Sequence, residues 1–253
     1  MGVTKQAGER VDDLVWRNLK IIQNPNWFCF SIDAILLADF SLLRPGDRVV
    51  DLGTGTGVIP LLLAARMRTL SIIGLEIKEE VAQMAQRSVS LNNLTQQITI
   101  KSGDIKDAPA QFGKGSFDLV VSNPPYTPVE AGRTSSSSIK AAARTEVHCS
   151  LEDVIRVGAA LLNSDGRFAL VHRPIRLAEI IYLMRSYRLE PKRMRFVHPM
   201  IGREPNVLLI EGIKNGKRDV KILPPLFIYQ KEGIYSEDMS AIFQGKSLKK
   251  EWL

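Results

Sequence analysis

Cysteine and histidine are scarce in this chain of 253 residues, with 2 and 3 respectively. Cys29 and Cys149 lie far apart, without neighbours at metal-ligand spacing, so neither a metal site nor a disulfide framework is expected. Long apolar runs are missing as well: the longest stretch, Val58 to Ala65, falls far short of the roughly 20 residues a membrane helix needs. Met1 to Arg10 is polar and charged and lacks the apolar core of a secretory signal. No internal repeat is visible. Together these absences lead to the expectation of a cytoplasmic, reduced protein with no metal and no membrane, most simply a monomer. What remains, 45% hydrophobic and 24% charged, is enough for one sizeable core or one domain with an appendage.

The net charge of +7 is unevenly placed. Residues 1–172 carry 18 Lys plus Arg against 18 Asp plus Glu, whereas residues 173–253 carry 16 against 9. Clusters at Arg185, Arg188, Lys192, Arg193 and Arg195, and at Lys214, Lys217, Arg218 and Lys221, are interleaved with Tyr182, Tyr187, Phe196 and Tyr229. Such a pattern suits a phosphate-facing surface, and it equally suits solvated helix ends and hairpins.

From Arg48 onward, strand-length apolar runs alternate with helix-length periodic segments. The runs are Arg48 to Leu52, Ser71 to Glu76, Gln97 to Lys101, Phe117 to Ser122 and Gly166 to Val171; helices fill Val58 to Arg68, Lys78 to Asn92 and Leu151 to Leu162. The alternation predicts an α/β fold, a doubly wound and mostly parallel sheet. A helix near Ile175 to Tyr187, strands at Lys192 to His198 and Asn206 to Lys214, and a broken run Val220 to Tyr229 predict an antiparallel C-terminal edge. Ahead of the sheet, Leu19 to Gln23 and Trp27 to Phe30 flank an Asn-Pro-Asn turn, and Ser31 is placed to cap a short helix, Ile32 to Phe40. The stretch 129–145, with four consecutive serines, has no apolar periodicity and reads as a mobile lid.

The tetrapeptide Asn123-Pro124-Pro125-Tyr126 follows the fourth of these strands. Each proline fixes its own φ and drives the preceding residue into extended backbone, so Asn123 and Pro124 are both stiffened. Two acceptors are thereby aimed, the Asn123 side-chain oxygen and the Pro124 carbonyl, while Tyr126 offers a flat ring for stacking. A conjugated NH2 bound there donates both hydrogens to the two acceptors and turns its nitrogen toward an electrophile. A plain strand terminus is the bland alternative, but the carboxyl end of a strand is where open α/β sheets place their ligands.

Asp51-Leu-Gly-Thr-Gly-Thr-Gly57 closes the first strand and opens the first helix. Gly53, Gly55 and Gly57 permit a sharp turn and let a ligand approach the backbone. A dinucleotide site is disfavoured, because the third fingerprint glycine would fall at Val58 and because Asp51 would repel a pyrophosphate. A carboxylate at Asp51 suits an ammonium group, Glu76 at the next strand end suits two ribose hydroxyls, and Asp104 after the third suits an adenine amino group. Acids at three successive strand ends describe a cationic nucleoside.

The ordered set Asp51 to Gly57, Glu76, Gly103-Asp104 and Asn123 to Tyr126 resembles the class I S-adenosylmethionine-dependent methyltransferases, specifically the branch that methylates planar amino nitrogens. Beyond this core, Ile21-Ile-Gln-Asn-Pro25, Phe28 to Ala34, Arg195 to Pro199 and Glu204 to Gly212 resemble the bacterial tRNA1(Val) adenine-N6-methyltransferases, which extends the resemblance over nearly the whole chain. It implies a seven-stranded Rossmann-like methyltransferase sheet and S-adenosylmethionine as cofactor, held by Asp51, Gly53, Gly55, Gly57, Glu76, Ile77, Asp104, Ile105 and Asn123. It implies methyl transfer to N6 of an adenine, position 37 in the anticodon loop of a tRNA, with Asn123 and Pro124 gripping the amino group and Tyr126 stacking the base. Pro125, His198, Arg193 and Arg195 are the expected RNA contacts. Residues 1–47 then form a hairpin and helix packed on the methyltransferase domain of 48–253, effectively one domain with basic C-terminal substrate elements.

Positioning supplies the catalysis in this scheme, and no strong base is required, since the nitrogen sheds its proton once alkylated. His172 and His148 are expected to be structural or solvated, and Asp33 and Ser31 to lie near the methionine end of the cofactor. A protein glutamine amide is also planar and conjugated, so the tetrapeptide alone does not separate it from adenine, and ribosomal RNA and DNA adenines stay open. Against the glutamine reading, too few residues precede the first strand for a helical recognition domain. A non-catalytic module that merely binds S-adenosylmethionine and RNA would have no use for the two aimed acceptors.

Overall fold

A computed structural model describes residues 5–14, 16–27, 29–126 and 149–246; the segment 129–145 expected to be a lid, and His148, lie outside the described residues. The chain opens with β1 (Arg10–Asp13) paired antiparallel to β2 (Lys20–Gln23), returning through Arg17 and Asn18, both at positive φ. The hairpin is therefore not the expected one, because the partner of β2 precedes it and the described residues Trp27, Cys29 and Phe30 lie in no strand. Gln23 is the cause. Its amide oxygen accepts the Phe30 N–H at 2.8 Å while its nitrogen donates to Asp12 at 2.6 Å, so the chain after the turn crosses β2 instead of pairing with it.

Helix α1 (Ile32–Phe40) follows. Ser31 stands at its N-cap in extended conformation, but its hydroxyl makes no capping bond; Asp33 supplies the first-turn negative charge instead. At the other end the guanidinium of Arg66 donates to the carbonyls of Ala38 and Ser41, and that of Arg193 to Phe40, satisfying acceptors that a helix terminus leaves free.

Then β3 (Arg48–Leu52), α2 (Val58–Arg66), β4 (Ser71–Glu76), α3 (Glu79–Leu91), β5 (Ile98–Ser102), α4 (Ala108–Phe112), β6 (Phe117–Ser122), α5 (Leu151–Leu161) and β7 (Leu162–His172) alternate. The longest apolar run is α2, buried on every side between the sheet and α1, and each of Leu61, Leu62 and Leu63 contributes about 1.5–3 kcal/mol by leaving water. Ser150 and Asp153 form a reciprocal capping box that starts α5. Strand β7 begins four residues before the expected Gly166 because a bulge opposite Phe117 to Leu119 absorbs Asp165, at φ 64, and lets Asn163 donate to Asp118 at 2.6 Å.

The chain closes with α6 (Leu177–Ser186), β8 (Leu189–Met200), β9 (Val207–Lys214), β10 (Lys221–Ile222), β11 (Leu226–Lys231), β12 (Ile234–Tyr235) and α7 (Glu237–Phe243). The sheet runs β12-β11-β8-β9-β7-β6-β3-β4-β5 with β10 also on β8, ten strands in all. Its parallel heart, β5-β4-β3-β6-β7, is continued by antiparallel β9 and then β8, the expected seven, and the three short strands lengthen that side. One core lies under α1, α2, Val121 and Val171, the other under α5, Leu170 and Phe168, so adjacent strand positions feed opposite faces.

Strand direction decides where function is placed. Because β9 is antiparallel to both β7 and β8, the carboxyl ends of β7 and β8 share an edge with those of β3, β4, β5 and β6.

Candidate active site

At that edge lies a cavity of about 190 Å³, floored by the turn from β3 into α2. The Gly53 and Thr54 N–H groups both donate to Leu75 O at 2.9 Å, which pulls the turn across to β4. Gly53 (φ 77) and Gly55 (φ 54) are left-handed, and a side chain on either would enter open space, the room a ligand needs. Gly57 (φ 81) plays a different part. A Cβ there would stand 3.2 Å from that of Ala85, so this glycine serves the packing of α2 on α3 and does not line the cavity.

Glu76 ends β4 beside the turn. Its carboxylate accepts the Gly55 N–H at 2.9 Å and the Lys78 N–H at 3.1 Å, while burial raises its pKa. Lone-pair capacity beyond these bonds stays available to a diol. Ile77, Asp104 and Ile105 line the same wall, and Asp104 also accepts the Lys106 N–H at 2.9 Å to start a 3-10 turn. Asp51 lies under the floor instead of in the wall. It is fully buried and neither oxygen reaches a donor at full hydrogen-bond geometry among the described residues; burial pushes its pKa up to about 7, opposed by the Thr54 hydroxyl beside it and assisted by the Glu76 charge. The Thr54 hydroxyl approaches it short of full hydrogen-bond geometry, and the buried Thr56 hydroxyl has no partner among the described residues. Buried acceptors so poorly supplied with donors fit a cationic nucleoside bearing an ammonium group. The opposite wall holds Trp27, Phe30, Ser31 and Cys149, of which only Ser31 was anticipated near the ligand. The signal for the aromatics was weak: two large rings in a polar turn just ahead of a helix.

Asn123 closes the cavity at the end of β6, whose last residue is pinned by Ser122 Oγ donating to Leu52 O at 2.8 Å. Pro125 lines it too, and Pro124 is buried between them. Tyr126 turns back over the sheet edge. Its hydroxyl lies 2.8 Å from Asn123 Oδ1 and 2.8 Å from Asp33 Oδ2. Burial, and then the Asp33 charge, raise the phenol's pKa far enough that it remains a donor. The Tyr126 ring packs against His172 with centroids 5.0 Å apart, and the Arg173 guanidinium lies 5.1 Å above its centre. His172 is fully buried; Nδ1 accepts the Arg173 N–H at 2.8 Å, and burial, helped by the Arg176 charge, pushes its pKa down to about 4. It is buried and neutral, not solvated. Asp33 and Arg173 were not anticipated in contact with Tyr126, because their approach depends on tertiary placement.

Two expected RNA contacts are corrected. Arg193 and Arg195 are buried: Arg193 pairs with Glu211 at 3.1 Å and lies 4.3 Å over the Phe40 ring, and Arg195 donates to Pro224 O at 3.0 Å. Both share a strand face with buried Val197, which turns them toward α1. His198 stands near the functional edge but outside the cavity, its Nδ1 2.7 Å from Arg203 O and its ring against Phe227. Arg188, Lys192, Lys214 and Lys217 gather where β8 begins and β9 ends, at the edge opposite the cavity. The basic third is thus not one surface. Among the described residues no cluster of three metal-ligating side chains occurs, and no helix is long and apolar enough to cross a membrane.

Residues 43–181 match the family model described as a methyltransferase domain. The tRNA1(Val) (adenine(37)-N6)-methyltransferase of Porphyromonas gingivalis is 32% identical over 71% of this chain and 72% of its own length. That of Aeromonas salmonicida is 32% identical over 71% and 75%. Among solved structures, a predicted O-methyltransferase of Agrobacterium tumefaciens superposes with a TM-score of 0.70 at 24% identity, covering 86% of this chain and 98% of the other. A Streptomyces coelicolor geranyl diphosphate C-methyltransferase, solved with magnesium, geranyl diphosphate and S-adenosyl-L-homocysteine, reaches 0.55 at 16% identity over 72% and 75%.

Proposed function

The chain belongs to the S-adenosylmethionine-dependent methyltransferases and to the tRNA1(Val) (adenine(37)-N6)-methyltransferase family within them, and on that premise we propose that it methylates the exocyclic N6 of adenine 37 in a tRNA anticodon loop. One observation carries the choice of an amino group: Asn123 borders the cofactor cavity on one side and meets Tyr126 on the other. A group gripped by Asn123 is therefore next to the methyl donor and next to a flat ring at once.

S-adenosylmethionine, when bound, supplies an electrophilic sulfonium methyl. The residues for holding it are Glu76 toward the ribose, Asp104 toward the adenine amino group, and the buried Asp51 beneath the floor toward the ammonium. Asn123 Oδ1 and the Pro124 carbonyl accept the two amino hydrogens of the target. That pulls the nitrogen out of conjugation and directs its lone pair into the cavity. Tyr126 fixes the base plane. A neutral His172 whose Nδ1 is already engaged is not a proton acceptor for the step, and none is needed, because an alkylated amino nitrogen loses its proton to water. Anticodon-loop adenines are unpaired or easily splayed, so presenting one costs little.

The test is labelled methyl transfer to total tRNA, ribosomal RNA, DNA and a ribosomal-factor fraction, with the modified nucleoside identified by mass spectrometry. N6-methyladenosine in tRNA is the expected product. Label confined to protein would replace adenine with a glutamine amide. Asn123→Ala is expected to slow transfer by about 100-fold or more while S-adenosylmethionine binds with nearly wild-type affinity in calorimetry. Equal loss of binding would remove Asn123 from the amino-gripping role.

A further inference from the structure

We propose that Arg173 is the substrate-phosphate contact of this site, resting on the face of Tyr126 that the target base takes up, and transferred to a phosphodiester oxygen when the base arrives. The inference rests on the nucleic-acid reading above and adds the residue that recognises the nucleotide's charge.

The position is set by topology. Arg173 directly follows β7, the neighbour of β6, so it emerges beside the tetrapeptide at the functional edge. Its guanidinium lies 5.1 Å from the Tyr126 ring centre, and its Nη1 donates to Asn206 O at 2.9 Å, in the turn joining β8 to β9. Arg167, Arg176 and Arg193 each lie against a carboxylate, whereas Arg173 is exposed and meets none among the described residues. Of a guanidinium's five N–H groups, one donates to Asn206 O, and the residue as a whole is exposed. A planar, weakly hydrated fork of donors beside a stacking ring is built for a phosphate.

The exchange also fits the anchoring of Tyr126. One phenol hydrogen faces two acceptors, Asp33 and Asn123. The charged carboxylate holds it more strongly than the amide oxygen does. Asp33 can therefore keep the ring in place while Asn123 Oδ1 passes to an incoming amino group. The ring face is what must be vacated, and an exposed cation–π contact is weaker than a base stacked on an aromatic ring. With His172 neutral against the ring and Arg176 paired with Glu179, Arg173 supplies positive charge at this rim. A glutamine side chain brings no phosphate, so the same residue selects a nucleotide over a protein amide.

The experiment uses the full chain and a short unmodified RNA stem-loop carrying an adenine in its loop, with dissociation constants measured across a salt series. Arg173→Ala is expected to weaken binding about tenfold and to reduce the slope of log affinity against log salt by about 0.7–1, one phosphate's worth. The loss should appear mainly in KM. Arg173→Lys should recover the salt slope but only part of the affinity, because it restores charge without the fork. Calorimetric S-adenosylmethionine affinity serves as the folding control. An unchanged salt slope in Arg173→Ala overturns the proposal, and so does a fall in kcat with KM and slope unchanged, which would make Arg173 only a prop for Tyr126. A wild-type protein that labels no nucleic acid brings down the functional reading itself; one that labels RNA while the Ala variant keeps its slope brings down this inference alone.

Discussion

Asp51 is the residue least suited to its surroundings, a fully buried carboxylate whose pKa burial raises to about 7 against the opposing pull of the Thr54 hydroxyl. In the unfolded chain it would ionise at about 3.9. Stability from its neutral form is complete below that value and is lost progressively as pH rises to about 7. An ammonium above it reverses the preference by pairing with the ionised form. S-adenosylmethionine affinity should therefore rise with pH until about 7, and binding below that pH should release a proton, seen by calorimetry in buffers of different ionisation enthalpy. Asp51→Asn should flatten the profile; a flat wild-type profile would dissociate Asp51 from the ligand. Asp51, Glu76, Asp104 and Asn123 were legible in the sequence because each needs only its place at a strand end. Arg193 and Arg195 were misread because a basic side chain does not announce its strand face. Their spacing with Val197, two and four residues on, held the clue, since residues at that period share a face. Asp33 was expected near the ligand but not on Tyr126, and Arg173 carried no local signal; both reach Tyr126 from elements distant in sequence.

Among the elements, the inner parallel strands β3, β4 and β6 were readable because they are largely buried on both faces and so appear as apolar runs. The first hairpin was not. β1 reads Arg-Val-Asp-Asp, exposed at three positions of four, and has no alternation to notice; the hairpin docks through β2, where Ile22 N–H donates to Ser88 Oγ of α3 at 3.0 Å. The turn into α2 shows how closely elements constrain single residues. At Gly57 the backbone is left-handed and Ala85 is 3.2 Å from any added Cβ, so Gly57→Ala combines strain with overpacking of α2 on α3. A loss of about 2–4 kcal/mol is expected in urea denaturation. Gly53→Ala, equally left-handed but facing open space, should lose less stability and should instead weaken cofactor binding. Equal stability losses would mean that the helix contact contributes nothing and that backbone strain alone sets the cost.

At the scale of the whole molecule, the sheet sorts the chain's basic residues by location. Arg188, Lys192, Lys214 and Lys217 sit at the amino edge, away from the cavity, while Arg173 and Arg203 stand at the carboxyl edge where β7 and the β8–β9 turn emerge. Arg193 belongs to neither edge. Through Glu211 and the Phe40 carbonyl it ties α1 to the far side of the sheet, and Glu211 itself accepts the Leu42 N–H at 3.2 Å. That buried junction joins residues before the first parallel strand to strands near the end of the chain, and it supports treating the N-terminal segment and the sheet as one folding unit. Arg193→Ala would remove the ion-pair partner of buried Glu211, leaving it the Leu42 N–H and the more distant Arg66 charge, and breaking a buried pair in this way typically costs about 3–5 kcal/mol. The expected result is a single unfolding transition at markedly lower denaturant, monitored by fluorescence and circular dichroism together. If α1 instead detached independently, the two probes would separate into two transitions. The RNA salt slope of the folded variant should equal the wild type's, because the Arg193 side chain is buried against protein; a reduced slope would return it to the substrate surface.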